Sequence, residues 1–492
     1  MRTTTTLATG ALVASVAQAQ AQVVQWDIVR KHTGSKVTRR AGTFTEVITN
    51  EKLRGGYFAS CQVGTPGQNL TLQLDTGSSD IWVPSSSSSV CETSSQSDGC
   101  TFGSFDESSS STTTVVGEGD FSINYVDGSH SKGDYITETF EIGGATLKNM
   151  TMGLGLSTDI PYGLVGVGYT LNEANVSDTG STSSQYDNLP LLMQKEGLIA
   201  TNAYSLWLND LDASTGSILF GGIDTEKYKG DLTRINIQKD SQSKAFTSFT
   251  VALSSLQAVS SSGTDSLSSE FPLPVVLDSG TTFTYLPTDL AKQVWREVGA
   301  EYWDEVGVAL LPCDMENSEG HFSFGFAGTG GPVINVTMDE LVLPLTTGRA
   351  TQFPSGQYRG QDACQFGIQN FSSSSASYLL GDTFMRSAYV VYDLINNEIG
   401  IAPTDFNATD SNVVAFPSEG AQIPSATAAP NQAEVSQTGG VSTPTYGASG
   451  GFQNDKASAA SLLPPAFDWS RIAITGASMG LVMVGSGFFL LF

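Results

Sequence analysis

The 492-residue chain has few charged residues, and basic residues are the scarcer of the two signs. Only 15% of residues are charged, and 23 Lys and Arg stand against 49 Asp and Glu, a net charge of −26. This balance argues against nucleic acid as a partner, which requires a basic surface. With three histidines, the chain also offers few candidates for a His-based triad or a His-rich metal site. The composition therefore favours carboxylate chemistry.

Cysteine is scarce as well, with five residues in the chain. Cys91 and Cys100 bracket a short acidic loop and are predicted to form a local disulfide, as in a secreted protein. Cys313 and Cys364 both lie in the second half and are predicted to pair within it. Cys61 is left over and is interpreted as a buried thiol inside a strand. The length, 52 glycines and many Ser/Thr runs indicate a β-rich secreted protein with two lobes and appendages.

One motif occurs twice. Residues 72–84 alternate apolar and polar positions and then turn at Asp-Thr-Gly-Ser, which places the carboxylate of Asp75 at the end of a buried strand. About two hundred residues later an apolar run leads into Asp-Ser-Gly-Thr, beginning at Asp278. An apolar-apolar-Gly run follows each motif, at 164–168 and at 379–382. These correspondences predict an internal duplication that brings one Asp from each half to the centre.

These motifs resemble those of the pepsin-like aspartic proteases, over roughly residues 55–403. The resemblance implies an all-β, bilobal fold with pseudo-two-fold related lobes, a few short helices and a cleft that binds extended polypeptide substrates. It implies an aspartic endopeptidase in which Asp75 and Asp278 activate a water molecule. No cofactor or metal is required, and a monomer is expected. Residues 204–230 are most similar to the yapsin branch, the cell-surface fungal members of the family. The acidic mature chain suggests cleavage near Lys or Arg, as in yapsins.

The resemblance also assigns supporting residues around the two carboxylates. Thr76 and Ser279 are expected to lock the two loops together through their hydroxyls. Ser78 and Thr281 are expected to orient the carboxylates. The supporting residues are Thr76, Gly77, Ser78, Ser279, Gly280 and Thr281.

Residues 121–142 form two alternating segments around Asp127-Gly128, which predicts a β-hairpin. The resemblance identifies this hairpin as the flap over the substrate, with Tyr125 as the flap tyrosine and Trp82 behind it. At position 126 the family usually has Gly and this chain has Val126. The resemblance therefore does not determine the mobility of the flap or the shape of the nearby subsites. An ordinary surface hairpin is the alternative.

The N-terminal residues are predicted to be processed. Residues 1–21 carry a weakly apolar stretch before small residues and are interpreted as a signal peptide, with a disordered N-terminus as the alternative. Residues 22–40 are basic and end at Arg39-Arg40, which predicts a prosegment cut by a processing protease. A solvated basic run is the other interpretation. The N-terminal lobe is then placed at 41–225 and the C-terminal lobe at 226–405.

The C-terminal part is predicted to be an anchor. Residues 406–460 are rich in Ser, Thr, Ala, Gly and Pro and are interpreted as a disordered stalk. Residues 461–492 are predicted to be a GPI-attachment signal with Ser458 as attachment residue, which would place the protein at the cell surface. A single membrane span is the alternative. Six sequons indicate passage through the secretory route, and they begin at Asn69, Asn149, Asn175, Asn335, Asn370 and Asn407.

Three further local predictions concern the second half. Residues 240–270 are expected to form a polar surface loop, and residues 288–302 an amphipathic helix with Thr288 as its N-cap. Residues 389–402 are expected to form a hairpin, after which the folded part ends near residue 405.

Other classes of protein fit less well. An inactive pepsin-fold binding protein would not need both Asp motifs intact, and an adhesin gives no reason for paired motifs. A calcium loop at 75–80 lacks a later bidentate acid. The Gly-x-Gly at 166–168 has no third Gly or opening helix, so a dinucleotide loop is excluded.

Overall fold

The computed structural model describes residues 23–32, 55–92, 99–125, 128–213, 215–345, 350–371, 378–432 and 443–452. Strands dominate it, which confirms the predicted all-β class. The strands of the first half are β1 (Val24–His32), β2 (Gly55–Val63), β3 (Gln68–Asp75), β4 (Ile81–Pro84), β5 (Thr114–Asn124), β6 (His130–Ile142), β7 (Ala145–Thr158), β8 (Leu164–Gly166), β9 (Ala203–Trp207), β10 (Thr215–Phe220) and β11 (Gly222–Asp224).

The second half continues the same pattern of short strands. They are β12 (Leu232–Asn236), β13 (Thr250–Ser260), β14 (Gly263–Ser266), β15 (Leu273–Leu277), β16 (Thr284–Pro287), β17 (Glu301–Trp303), β18 (Val308–Pro312), β19 (His321–Phe326), β20 (Val333–Thr337), β21 (Val342–Pro344), β22 (Ala363–Phe366), β23 (Ile368–Phe371), β24 (Tyr378–Leu380), β25 (Ala388–Asp393), β26 (Glu398–Pro403), β27 (Val413–Ala415) and β28 (Ala426–Ala428).

The helices of the described residues are short. The α-helices are α1 (Ser89–Glu92), α2 (Ala174–Thr179), α3 (Leu189–Lys195), α4 (Thr288–Val298), α5 (Met338–Leu341), α6 (Asp382–Met385) and α7 (Ser449–Phe452), and single 3₁₀ turns occur at Glu107–Ser109, Thr170–Asn172, Thr182–Ser184 and Cys313–Asn317. None of the helices in the described ranges has the length and apolar character needed to cross a membrane.

One large sheet passes through both halves in the order β28-β12-β26-β25-β9-β10-β1-β2-β3-β8-β4-β7-β6-β5. A second sheet, β20-β19-β13-β15-β24-β16-β23, builds the second half, with β14 paired to β13. Smaller sheets are β17-β18-β22-β21 and β11-β27. A continuous core of buried Val, Leu, Ile and Phe residues connects the large sheets. The two Asp motifs end strands of different sheets, β3 and β15, so the sheets carry them toward each other.

The duplication predicted from the sequence is present as one strand arrangement built twice. In the first half, β8 pairs in parallel with β3 and antiparallel with β4, so it lies between the strands on either side of the Asp75 loop. In the second half, β24 lies in the same way between β15 and β16. Each apolar-apolar-Gly run is therefore the strand that crosses beneath one Asp motif.

The segment at 22–40 predicted to be a prosegment contains β1, which lies between β10 and β2. Its alternate residues Val24, Trp26 and Ile28 point into the core. Arg39-Arg40 and the signal segment 1–21 lie outside the described residues, so processing stays a prediction.

The boundary of the predicted stalk is wrong. Residues 406–432 and 443–452, here called the C-terminal strap, pack on the folded body instead of beginning a disordered stalk at 406. Within the strap, β27 pairs with β11 and β28 with β12. Phe416 and Phe452 are fully buried, and the Phe452 ring stacks on Phe322 with centroids 5.4 Å apart. These few apolar residues are separated by long polar runs, so composition alone conceals them.

Two other local predictions need correction. Residues 240–270 do not form a surface loop, since 250–260 is β13, which pairs with both β15 and β19 in the second sheet. Its serines occupy partly exposed positions, which gave the segment a polar character. The helix predicted at 288–302 ends at Val298, and its N-cap is Pro287 with no side-chain capping bond. The hairpin predicted at 389–402 is present as β25 and β26.

Truncating the chain at residue 405 should weaken the folded body, because it uncovers the apolar surface under the C-terminal strap. Each fully buried strap side chain contributes about 1.5–3 kcal/mol. We expect the apparent Tm of the chain ending at 405 to fall by about 5 °C or more relative to a chain ending at 452. Thermal unfolding of both purified chains measures this. An equal Tm would show that the strap adds no stability.

Candidate active site

The two strands that cross beneath the Asp loops, β8 and β24, lead into glycines that pack directly against the backbone of the loops. An added Cβ on Gly166 would lie 2.6 Å from the backbone nitrogens of Ser79 and Asp80. An added Cβ on Gly381 would lie still closer to the backbone carbonyl oxygens of Thr281 and Phe283. Glycine is thus required in each crossing strand because the backbone of the Asp loop passes directly against it.

Asp75 and Asp278 are completely buried, and their carboxylates are held by matching hydrogen bonds. The backbone N–H of the Gly two residues on donates to Oδ1, at 2.8 Å in the first loop and 2.9 Å in the second. The hydroxyl three residues on donates to Oδ2, from Ser78 at 2.5 Å and from Thr281 at 2.7 Å. Each carboxylate is therefore oriented by its own loop.

The loops are also locked to each other. Thr76 Oγ1 donates to the carbonyl of Leu277 (2.9 Å) and accepts from the backbone N–H of Ser279 (3.0 Å). Ser279 Oγ reciprocates, since it donates to the carbonyl of Leu74 (3.2 Å) and accepts from the backbone N–H of Thr76 (3.2 Å). Four buried hydrogen bonds thus join the two halves beside the carboxylates.

The two carboxylates converge on one place. An added Cβ on Gly77 would lie 2.6 Å from Oδ1 of Asp278, the acid of the opposite loop. An added Cβ on Gly280 would have Oδ1 of both Asp75 and Asp278 within 3.2 Å. Both Oδ1 atoms are therefore within 3.2 Å of a single point, so the two carboxylates lie close to each other where the two loops meet.

The hairpin that the resemblance identifies as the flap is present, with β5 and β6 as its strands. Tyr125 and Ser129 close its end through a backbone bond of 2.8 Å, and Gly128 has a φ of +84°, which favours glycine. Asp127 and Val126, named from the sequence, lie outside the described residues.

Tyr125 is positioned by the tryptophan that the sequence singled out. Trp82 Nε1 donates to the Tyr125 hydroxyl at 2.6 Å, and both side chains are buried. Burial, with the nearby Asp75 carboxylate, raises the pKa of Tyr125 well above its usual value, so the phenol stays neutral. The residue predicted to be the flap tyrosine is therefore hydrogen-bonded to β4, the strand that follows the first Asp motif.

Trp82→Phe should weaken substrate binding, because it removes the Nε1 donor to Tyr125 while keeping most of the ring packing. A neutral hydrogen bond contributes about 1 kcal/mol, so we expect kcat/KM to fall about fivefold, mainly through KM. Steady-state kinetics with one peptide measures this. An unchanged KM would mean that this bond does not hold the flap in the enzyme–substrate complex.

Both predicted disulfides are present, Cys91–Cys100 and Cys313–Cys364, and Cys61 is a buried free thiol.

Of the predicted sequons, four have exposed Asn side chains, at Asn69, Asn149, Asn335 and Asn407, and two are half-buried, at Asn175 and Asn370. Glycosylation stays a prediction at all six. Ser458 lies outside the described residues.

The sequence did not single out a buried acid network next to the candidate dyad. Asp80 ends the first motif, Asp-Thr-Gly-Ser-Ser-Asp, and was considered only as part of a calcium loop. Its carboxylate instead accepts hydrogen bonds from the hydroxyls of Tyr135 and Tyr186. A comparison of the two motifs would have found Asp80, because the second motif has Phe283 at the equivalent position.

The fold and the paired Asp loops define a bilobal aspartic protease. Residues 56–404 match the family model of the eukaryotic aspartyl proteases, and the chain belongs to this family. The sequence-based recognition of the family and of the enzyme class is thereby confirmed. Assignment to the yapsin branch stays a prediction.

Similar proteins are fungal endopeptidases. The chain is 42% identical to "Probable aspartic-type endopeptidase opsB" of Aspergillus oryzae, across 83% of this chain and 82% of the relative. It is 39% identical to "Acid protease" of Saccharomycopsis fibuligera (75% and 86%) and 33% identical to "Secreted aspartic protease 8" of Candida albicans (76% and 81%). The chain is an aspartic-type endopeptidase.

Proposed function

We propose that Asp75 and Asp278 are the catalytic pair and hydrolyse peptide bonds by activating one water molecule. The observation that carries this is the convergence of two buried carboxylates, each held by the same two hydrogen bonds, on a single point. Two carboxyls this close resist double ionisation, as is general for aspartic-protease dyads, so the pair holds one proton.

The shared proton supplies both halves of the chemistry. The ionised carboxylate takes a proton from the bound water as its oxygen attacks the peptide carbonyl carbon. The protonated carboxyl donates to the carbonyl oxygen, which gives a tetrahedral diol. A proton then passes to the peptide nitrogen, the C–N bond breaks, and the pair returns to its one-proton state. The steps need no metal or organic cofactor, and the donors to the outer oxygens keep both carboxyls in place.

We further propose that the substrates are extended polypeptides and that the enzyme acts outside the cell. Support for secretion comes from two disulfides, which persist in oxidising compartments, and from the relative whose printed name includes "Secreted". Anchoring by a GPI group at Ser458, maturation after Arg40 and preference for Lys or Arg near the scissile bond rest on the sequence alone.

The test is peptide-library cleavage by the processed enzyme from acidic to neutral pH. We expect internal cleavage that pepstatin, a transition-state analogue, abolishes. Hydrolysis that persists in saturating pepstatin, or the absence of any cleavage by a folded and processed enzyme, would contradict the proposal. Phospholipase release from cells separately tests the GPI anchor, and retention after that treatment would overturn it.

A further inference from the structure

A buried acidic centre lies beside the flap and is not used by the chemistry above. Asp80, completely buried, accepts from the Tyr186 hydroxyl at 2.7 Å, from the Tyr135 hydroxyl at 3.2 Å and from the backbone N–H of Ala174 at 2.8 Å. Its three donors come from β6 of the flap, from the loop before α3 and from the first residue of α2. One carboxylate at the end of the first Asp motif thus joins three separate segments.

The fold itself does not require an acid at this position. The second Asp loop is built in the same way, and its equivalent residue is Phe283, which is buried in an apolar cluster. Burying a carboxylate costs free energy unless several donors compensate it. An acid in only one of two duplicated loops therefore indicates a role specific to the half that carries the flap.

An aromatic column connects this centre to the flap tyrosine. Tyr186 packs against Tyr135 with ring centroids 5.8 Å apart, and Tyr135 against Phe121 at 5.4 Å. Phe121 lies 6.3 Å from the ring of Trp82, which donates to Tyr125. The column runs from the two tyrosines bound by Asp80 to Trp82 and, through the hydrogen bond of Trp82, to Tyr125.

We propose that Asp80 is a positioning residue for the flap, which fixes Tyr135 and Tyr186 and, through the aromatic column, the place of Tyr125 over the substrate. This rests on the proposed function and on the flap role that the family resemblance implies for the hairpin of β5 and β6. Asp80 makes no contact with the reacting atoms in this scheme. Its loss should therefore change substrate binding more than the chemical step.

Glu173 completes the centre as a neutral neighbour. It is completely buried, and its Oε2 accepts from the backbone N–H of Tyr186 at 3.0 Å. Its Oε1 is buried without a hydrogen-bond partner. Burial, and then the charge of Asp80, raise the pKa of Glu173 to about 9, so it stays protonated from acidic to neutral pH. Glu173 therefore adds no second charge to the centre, and the hydroxyls of Tyr135 and Tyr186 donate to Asp80 alone among the two acids.

The test compares four variants of the processed enzyme with one peptide. In Asp80→Asn the amide cannot accept from all three donors, and we expect KM to rise about tenfold with kcat within about threefold of wild type. Tyr135→Phe should raise KM about threefold in the wild type and by less in the Asp80→Asn background, because the two changes act on one hydrogen-bond network. Glu173→Gln, which keeps shape and neutrality, should leave KM within about twofold.

The exposed Glu141 of β6 provides the matched control, since Glu141→Gln should leave KM and Tm unchanged. A fall in Tm with unchanged KM in Asp80→Asn would overturn the proposal in favour of a purely structural role. Should that variant fail to fold, unchanged KM in both Tyr135→Phe and Tyr186→Phe would overturn it. A KM effect in Glu173→Gln as large as in Asp80→Asn would overturn the neutral assignment of Glu173. Failure of the dyad itself is recognised separately, because it would leave Asp75→Asn active.

Discussion

Asp75→Asn and Asp278→Asn are each expected to lower kcat by about 10³-fold or more, since either change removes an ionisable member of the pair that holds one proton. Asn keeps the shape of Asp and its Oδ1 still accepts from the backbone N–H of Gly77 or Gly280. The fold should therefore survive, with the apparent Tm within about 2 °C of wild type. Steady-state kinetics and thermal unfolding of the same samples measure both quantities.

Two further variants provide an intermediate effect on kcat and a control. Ser78→Ala removes the hydroxyl that donates to Asp75 Oδ2 and should cost about tenfold in kcat, because the carboxylate remains but is less well oriented. Asp231→Asn changes an exposed acid and should leave kcat unchanged. Wild-type turnover in either dyad variant would remove that residue from the catalytic pair.

Glu340→Ala is expected to lower the free energy of unfolding by about 3–5 kcal/mol, because it leaves the guanidinium of Arg386 buried without its acid. Arg386 is fully buried and donates through Nε to Glu340 Oε2 and through a terminal nitrogen to the Glu340 carbonyl (2.5 Å). Glu340 Oε1 also accepts from the backbone N–H of Leu211 at 3.1 Å, so one acid connects the two halves of the chain. Urea unfolding followed by fluorescence measures the loss.

An exposed ion pair supplies the comparison. Lys195 Nζ lies 2.5 Å from Asp187 Oδ1, and the two side chains are 56% and 37% exposed. Asp187→Ala should cost less than about 1 kcal/mol, since water already solvates both charges. A loss below 1 kcal/mol in Glu340→Ala as well would show that Arg386 finds other partners when the acid is absent.

The sequence was most informative where function is encoded by adjacent residues. The Asp75 and Asp278 motifs, the flap hairpin and Trp82 are short patterns whose geometry follows from local turns and strands. Their meeting in space could be inferred because the chain repeats its motif and its crossing strand. Asp80 was missed because its partners come from three distant segments, which no local pattern reveals.

The fold was least predictable where packing depends on distant partners. Phe416 and Phe452 are isolated among polar residues, and only the surfaces of the body that receive them show that the C-terminal strap is folded. Strand β13 was not recognised because its serines, which lie at partly exposed positions, make the segment resemble a polar loop. Termination of α4 at Val298 follows from Gly299, which has a φ of +73° and caps the helix end.

The shared proton is tested most directly by the pH dependence of kcat/KM of the processed enzyme, with circular dichroism recorded at each pH to establish where the fold is intact. Two ionisations that belong to the pair predict a bell-shaped profile, which falls on the acidic side as the second carboxyl is protonated and on the alkaline side as the shared proton is lost. A profile with a single ionisation, or none, across the range in which the protein stays folded would contradict a one-proton pair at Asp75 and Asp278.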